Sequence, residues 1–139
     1  MGYGISTYSS IISQLIREAE KNIIMTVYLL NDRKVLADVN AAVKRGVLIE
    51  VFIYLPDDTM QNRHLYIELE TLAKKYQNLK IHAVRNKILH AKILVSDYSK
   101  TVVGSANFTF SGTIKNYELG ILIEDKNIAQ TVASLIKRV

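Results

Sequence analysis

The fold is decided by residues 22–55, NIIMTVYLLNDRKVLADVNAAVKRGVLIEVFIYL. Residues 22–30 are mostly apolar and rich in β-branched side chains, which is typical of a buried strand. The next segment has apolar residues at helical spacing, namely Val35, Leu36, Val39 and Val43. Arg45-Gly46 predicts the end of that helix, and residues 48–55 form a second buried strand. This order predicts two parallel strands joined by a right-handed crossover.

Similar patterns extend outward from this unit in both directions. A helix with one apolar face precedes it from residue 8 to residue 19, and another follows from residue 65 to residue 76. Shorter strands come next, at residues 80–85, 90–96, 101–105 and 117–124, and the short connections between the later ones suggest antiparallel additions to the sheet. A last helix has Ile128, Val132, Leu135 and Ile136 at helical spacing. We predict an α/β fold with a mixed, mostly parallel central sheet and helices on both faces, in which residues 1–139 form one domain.

Composition excludes several classes of protein. The chain has 139 residues, no cysteine and three histidines. Disulfide scaffolds, zinc ribbons and thiol catalysis are therefore excluded. The sequence shows no secretory signal and no apolar run long enough to span a bilayer, so we expect a cytoplasmic protein.

Positive charge is concentrated in one segment of the chain. The whole chain has a net charge of +5. Residues 80–115 alone have the same excess, because they contain one acid, Asp97, and six basic residues: Lys80, Arg85, Lys87, Lys92, Lys100 and Lys115. A solvated surface explains many such clusters, but a basic segment also favours a polyanionic partner.

The same segment contains polar residues at a spacing suited to phosphate chemistry. On a strand, His90 and Lys92 project from the same face, so an imidazole would lie beside a fixed cation. Ser105 and Asn107 are short hydrogen-bonding residues with the same spacing of two. Glu118 interrupts an apolar strand and is able to hold an imidazole N–H and fix its tautomer.

Taken together, these residues resemble a known family. His90-x-Lys92, followed by Asp97 and then by Gly104-Ser105-x-Asn107, is similar to the HKD motif of the phospholipase D superfamily. The upstream strand–helix–strand resembles the beginning of that superfamily's domain. The short, single-motif form is most similar to the bacterial Nuc-type endonucleases.

The resemblance implies a role for each motif residue. His90 is expected to attack phosphorus and form a phosphohistidine intermediate. Lys92 and Asn107 are expected to bind the non-bridging phosphoryl oxygens, with assistance from Ser105. Glu118 matches a carboxylate that orients the active-site imidazole.

Two further motif residues have expected structural roles. Asp97 has the opposite strand parity to His90 and Lys92 and lies just past the predicted end of its strand. Gly104 permits close backbone approach. The chemistry implied by the family needs no metal and no cofactor.

The single motif implies a shared site. Protonation of the leaving alkoxide needs a general acid, and a second imidazole suits that role. Neither His64 nor His82 is followed by lysine at the second position, and we expect both to be structural or exposed. We therefore predict a homodimer in which His90 of each protomer faces one phosphate across the twofold axis.

The expected substrate is nucleic acid, because the basic segment 80–115 contains the motif. Contacts of Lys and Arg with the phosphates of a nucleic acid release counterions and so favour binding. We predict a metal-independent, nonspecific nuclease acting on DNA, with single-stranded DNA or RNA as further substrates. Weaker candidates for nucleic-acid binding are Arg85, Lys87, Lys115 and Phe108. The alternatives are a phospholipid phosphodiesterase of the cardiolipin type and a nucleic-acid-binding module of a restriction, repair or helicase system. A metal-dependent nuclease built from Asp57 and Glu124-Asp125-Lys126 is disfavoured, because these pieces lie far apart in the sequence.

Overall fold

A computed structural model describes residues 8–27, 33–55, 63–85, 89, 92–104 and 120–139. These residues include four helices: α1 (Tyr8–Glu18), α2 (Arg33–Lys44), α3 (Arg63–Lys75) and α4 (Lys126–Ile136). They also include six strands: β1 (Asn22–Val27), β2 (Leu48–Tyr54), β3 (Leu79–Val84), β4 (Ile93–Ser96), β5 (Lys100–Gly104) and β6 (Gly120–Glu124). The predicted order of helices and strands is confirmed. None of the helices in these ranges is long and apolar enough to cross a membrane.

The six strands form one sheet in the order β3-β2-β1-β4-β5-β6. β1 pairs in parallel with β2, and β2 with β3. The remaining pairs, β1 with β4, β4 with β5 and β5 with β6, are antiparallel. The mixed α/β sheet is confirmed, but its described pairs are not mostly parallel. The turn between Ser96 and Lys100 is too short for the crossover that a parallel return requires.

Helices cover both faces of the sheet, as predicted, because successive strand residues point to opposite sides. One face packs against α1, α2 and α3 in a cluster that includes Ile12, Ile16, Ile23, Met25, Val39, Ile49, Val51, Leu69 and Leu94. The other face packs against α4 in a smaller cluster: Ile24, Phe52, Val84, Leu89, Val95, Ala129, Ala133 and Ile136.

Only part of the predicted apolar set of α4 contacts the sheet. Ala129, Ala133 and Ile136 are buried, whereas Ile128 and Leu135 are 41% and 56% exposed. Two alanines at the contact let the helix backbone approach the sheet closely. Ile136 and the partly buried Val132 therefore make the predicted contact with the sheet, whereas Ile128 and Leu135 lie on the outer side of the helix.

Asp97 ties the turn after β4 to the start of β1. Its carboxylate accepts hydrogen bonds from the backbone N–H groups of Glu20 (3.0 Å), Lys21 (2.7 Å) and Asn22 (3.0 Å). Its own N–H donates to the carbonyl of Asn22 at 2.8 Å. Burial raises the pKa of Asp97, but the three backbone hydrogen bonds and the charge of Lys21 outweigh that effect, so the net pKa is lowered.

We predict that Asp97→Ala lowers the free energy of unfolding by about 1–3 kcal/mol, because three N–H groups lose their acceptor. A carboxyl whose pKa is lower in the folded state stabilises the fold above its unfolded pKa of about 3.9. The contribution is lost as the pH falls through the folded pKa. Urea unfolding followed by circular dichroism, at neutral and at acidic pH, measures both effects.

Asp125→Ala is the matched control for this prediction. The Asp125 side chain caps α4 by accepting from the N–H of Ile128 at 2.9 Å. Loss of an ordinary helix cap costs about 1 kcal/mol. An Asp97→Ala variant that unfolds at the same urea concentration as the unsubstituted protein contradicts the prediction.

Candidate active site

Of the described motif residues, Asp97 lies at one edge of the sheet, beside the start of β1, whereas Lys92 and Gly104 lie at the opposite edge. Strands β1, β2 and β3 all end there, because they are parallel. β4 runs in the opposite direction and begins there, directly after Lys92. β5 ends at the same edge with Gly104, and β6 begins opposite it with Gly120. We call this edge the motif edge.

A hairpin brings the two halves of the motif together. Ile93 of β4 is paired with Val103 of β5, and the N–H of Gly104 donates to the carbonyl of Lys92 at 3.0 Å. Lys92 and Gly104 are therefore neighbours although eleven intervening residues separate them in the sequence. Predicted site residues outside the described ranges are His90, Ser105, Asn107 and Glu118, together with the weaker candidates Lys87, Lys115 and Phe108.

The chain is anchored on both sides of position 90. Leu89 is 7% exposed and belongs to the apolar cluster under α4. On the other side, the N–H of Ile93 donates to Oγ1 of the buried Thr26 at 3.0 Å. Thr26 is not among the residues predicted from the sequence, in which its only signal is a hydroxyl within an apolar strand.

Gly104 and Gly120 are paired across β5 and β6. β5 therefore ends, and β6 begins, at the motif edge. Glu118 stands two positions before Gly120 in the sequence and lies outside the described residues.

The basic segment is more dispersed than its sequence suggests. Arg85 follows β3 at the motif edge, where its side chain is exposed and its Nη1 donates to the carbonyl of Leu55 at 3.4 Å. Lys80 and Lys100 lie at the opposite ends of β3 and β5. Lys100 lies four residue steps along β5 from Gly104, which is roughly 13 Å. The expectation that the whole basic segment surrounds the motif is therefore wrong for these two lysines.

The remaining histidines and acids make other contacts. The His82 ring stacks on Phe52 with 4.4 Å between ring centroids, and its Nε2 lies 3.3 Å from Oε1 of Glu50. His64 is exposed in the first turn of α3. Asp125, one of the acids considered for a metal site, caps α4.

Comparison with known proteins gives consistent results. A family model described as "Cardiolipin synthase, PLD-like domain" matches residues 12–139. A protein named phospholipase D from Rickettsia prowazekii is 31% identical over 120 residues, which cover 86% of this chain and 56% of that protein. The chain thus spans about half the length of this curated relative.

Two solved structures have a similar fold. One is Nuc, a phospholipase D family member from Salmonella typhimurium, with a TM-score of 0.79 and 22% identity, covering 92% of this chain and 83% of that one. The other is NucT from Helicobacter pylori, with a TM-score of 0.75 and 18% identity, covering 92% and 84% of the two chains.

We predict that Thr26→Val exposes the Ile93 amide to exchange, because valine keeps the shape of threonine but not its hydroxyl. Loss of the acceptor lowers the free energy of local opening by roughly 1–2 kcal/mol, so the Ile93 amide is expected to exchange about ten times faster. Hydrogen exchange followed by NMR measures this amide directly. Thr26→Ser is the control, since it keeps the acceptor and the protection. Equal protection in the valine variant and the unsubstituted protein contradicts the assignment.

Proposed function

This chain belongs to the family of phospholipase D-like domains, and on that basis we propose that it is a metal-independent phosphodiesterase that cleaves DNA without sequence specificity. Single-stranded DNA and RNA are further proposed substrates. Residues 1–139 are proposed to form one catalytic domain. The observation that carries the proposal is the β4–β5 hairpin, which makes Lys92 and Gly104 neighbours at the motif edge.

The hairpin supports the proposal because phosphoryl transfer depends on preplaced donors. Negative charge develops on the non-bridging oxygens of the reacting phosphate, and fixed cations and amides stabilise it. Thr26 and Gly104 both bond to the peptide group that joins Lys92 to Ile93, Thr26 through the Ile93 N–H and Gly104 through the Lys92 carbonyl. We propose that Lys92 and Asn107 bind these oxygens, with help from Ser105.

In the first proposed step, a neutral imidazole nitrogen of His90 attacks phosphorus. A P–N bond forms, and the P–O bond to the leaving alkoxide breaks. The leaving oxygen takes a proton from a second imidazolium. An unperturbed histidine pKa of about 6.5 allows both protonation states near neutral pH. We propose that Glu118 orients the imidazole through its other ring nitrogen.

In the second proposed step, water attacks the phosphohistidine. The second imidazole, now neutral, takes the proton from that water. A P–O bond forms and the P–N bond breaks, which returns both histidines to their starting states and releases a phosphate monoester.

A second protomer is proposed to supply the second imidazole. The motif occurs once in the chain, and His82 is engaged with Phe52 and Glu50 under α4. A twofold axis near the motif edge allows one copy of His90 to act as nucleophile and the other as acid.

A phospholipid is the second candidate substrate. The matching family model is described as a cardiolipin synthase domain, and the relative from Rickettsia prowazekii is named phospholipase D. These names favour a lipid phosphodiester with the same chemistry. We rank nucleic acid first because Arg85 and Lys92 lie at the motif edge and because Lys87 and Lys115 stand close to the motif in the sequence.

We predict that the protein cuts plasmid and single-stranded DNA in excess EDTA, and that His90→Ala lowers the rate by at least about a thousandfold, because the nucleophile is lost. Gel electrophoresis of the products measures cutting. His82→Gln is the control histidine substitution and is expected to cut at the normal rate. Release of a lipid head group with no cutting of nucleic acid favours the second candidate instead.

We predict a dimer by light scattering, with twice the 15.7 kDa mass of one chain. If the site is shared, a mixed dimer with one His90→Ala subunit lacks either the nucleophile or the acid. Excess His90→Ala subunits are therefore expected to inhibit the unsubstituted protein beyond simple dilution, once subunits have exchanged. A stable, active monomer contradicts the shared site.

A further inference from the structure

Two helices begin with basic residues, although the helix dipole favours acids there. α2 begins with Arg33-Lys34 and α3 with Arg63, and neither helix has an acid in its first turn. A cation in the first turn is unfavourable by about 0.3–1 kcal/mol, since the N-terminus carries partial positive charge. The last turns contain Lys44 and Lys74, which is the favourable arrangement. The first-turn cations thus do not serve helix stability.

Both helix starts lie at the motif edge. In a strand–helix–strand crossover, the helix begins at the edge where the preceding strand ends, and α2 follows β1 while α3 follows β2. Nη1 of Arg33 lies 2.9 Å from Oε1 of Glu68, so the start of α2 contacts the second turn of α3.

Arg85 extends this group of cations to β3. The pKa of Tyr66 in α3 is raised, chiefly by its hydrogen bond to Glu70, and the nearby charge of Arg85 partly offsets the rise. Arg85 is also bonded to the Leu55 carbonyl just after β2. Arg85 therefore lies beside the first turns of α3.

These cations follow the order of the strands along the edge. Arg85 comes after β3, Arg63 after β2, Arg33 and Lys34 after β1, and Lys92 before β4. Three strand spacings correspond to about 14 Å, so the cations extend over a greater length than one phosphate group.

Among the described residues that begin or end elements, only basic charges stand at the motif edge, whereas both signs stand at the opposite edge. No Asp or Glu stands among the described residues that begin or end elements at the motif edge, and Glu68 is paired with Arg33. The opposite edge has both signs among its described residues: Glu18, Glu20, Lys21, Lys44, Lys74, Asp97, Lys100, Glu124 and Asp125.

We propose that Arg33, Lys34, Arg63 and Arg85 form a basic row that binds consecutive phosphates of a nucleic acid on one side of the scissile bond. The proposal rests on the proposed nuclease function and adds the path of the substrate. A linear row of cations next to the site fits a chain of phosphates better than it fits one lipid head group. Counterion release supplies the binding free energy.

The test uses the His90→Ala protein, so that binding is measured without cutting. Fluorescence anisotropy with a labelled single-stranded oligonucleotide, at several salt concentrations, gives the affinity and its salt dependence. The double substitution Arg33→Ala/Arg63→Ala is expected to weaken binding about tenfold and to reduce the slope of log K against log salt by about 1–1.5.

Two matched controls separate the row from net charge and from the ion pair. Lys44→Ala/Lys74→Ala removes the same charge from the opposite ends of the same helices, and Glu68→Ala breaks the Arg33 ion pair while keeping Arg33. Neither control is expected to weaken binding. If Lys44→Ala/Lys74→Ala weakens DNA binding as much as Arg33→Ala/Arg63→Ala does, the proposal is overturned. The proposal is also overturned if Glu68→Ala weakens DNA binding as much as the single substitution Arg33→Ala does.

Two further readouts distinguish the row from the proposed function. The substitution Arg33→Ala/Arg63→Ala is also tested with vesicles of equal phosphatidylcholine and phosphatidylglycerol. If it weakens binding to these vesicles but does not weaken binding to DNA, the basic row binds membranes and the proposal is overturned. If DNA binding depends on the basic row but the unsubstituted protein does not cut DNA, the row is supported and the nuclease function is contradicted. If the unsubstituted protein cuts DNA but Arg33→Ala/Arg63→Ala leaves DNA binding unchanged, the basic row is contradicted and the nuclease function is not.

Discussion

Strand β1 is hydrogen-bonded on both sides, and the position of the motif depends on this. It is buried along its whole length and pairs in parallel with β2 and antiparallel with β4. Buried backbone groups must be paired, so β4 cannot leave β1 without exposing unsatisfied donors and acceptors. The antiparallel direction of β4 places Lys92 where β1, β2 and β3 end. The pair is short, and Thr26 and Asp97 hold its two ends.

Local patterns in the sequence were sufficient to predict the elements and the family. Apolar spacing predicted α2 between β1 and β2, and Gly46, with a φ of +93°, follows α2 as predicted. The motif spacing identified Lys92 and Gly104 before their contact was known. Short connections suggested that the later strands are antiparallel, but the pairing of β4 with β1 was beyond such reasoning, because pairing partners far apart in sequence leave no periodic signal. The same is true of Thr26, whose hydroxyl has a role only when Ile93 lies beside it.

The positions of the basic residues in the fold likewise differ from what their positions in the sequence suggest. A contiguous basic segment suggested a single basic surface, yet Lys80 and Lys100 lie at the far ends of their strands. The crossover topology instead brings Arg33 and Arg63 from separate parts of the chain to the motif edge. Topology, rather than proximity in sequence, determines which cations are available to a phosphate chain. The dipole of each helix makes these cations unfavourable for the helix itself, which is consistent with a role in binding.

The central claim is that His90 attacks a nucleic-acid phosphate and forms a covalent intermediate. The most direct measurement is mass spectrometry of protein mixed with a short DNA substrate and quenched rapidly at alkaline pH, where phosphohistidine survives. We predict a DNA fragment attached through phosphorus to His90, absent from the His90→Ala protein. Efficient cutting without any adduct at His90, or an adduct that persists in the His90→Ala protein, would contradict the account.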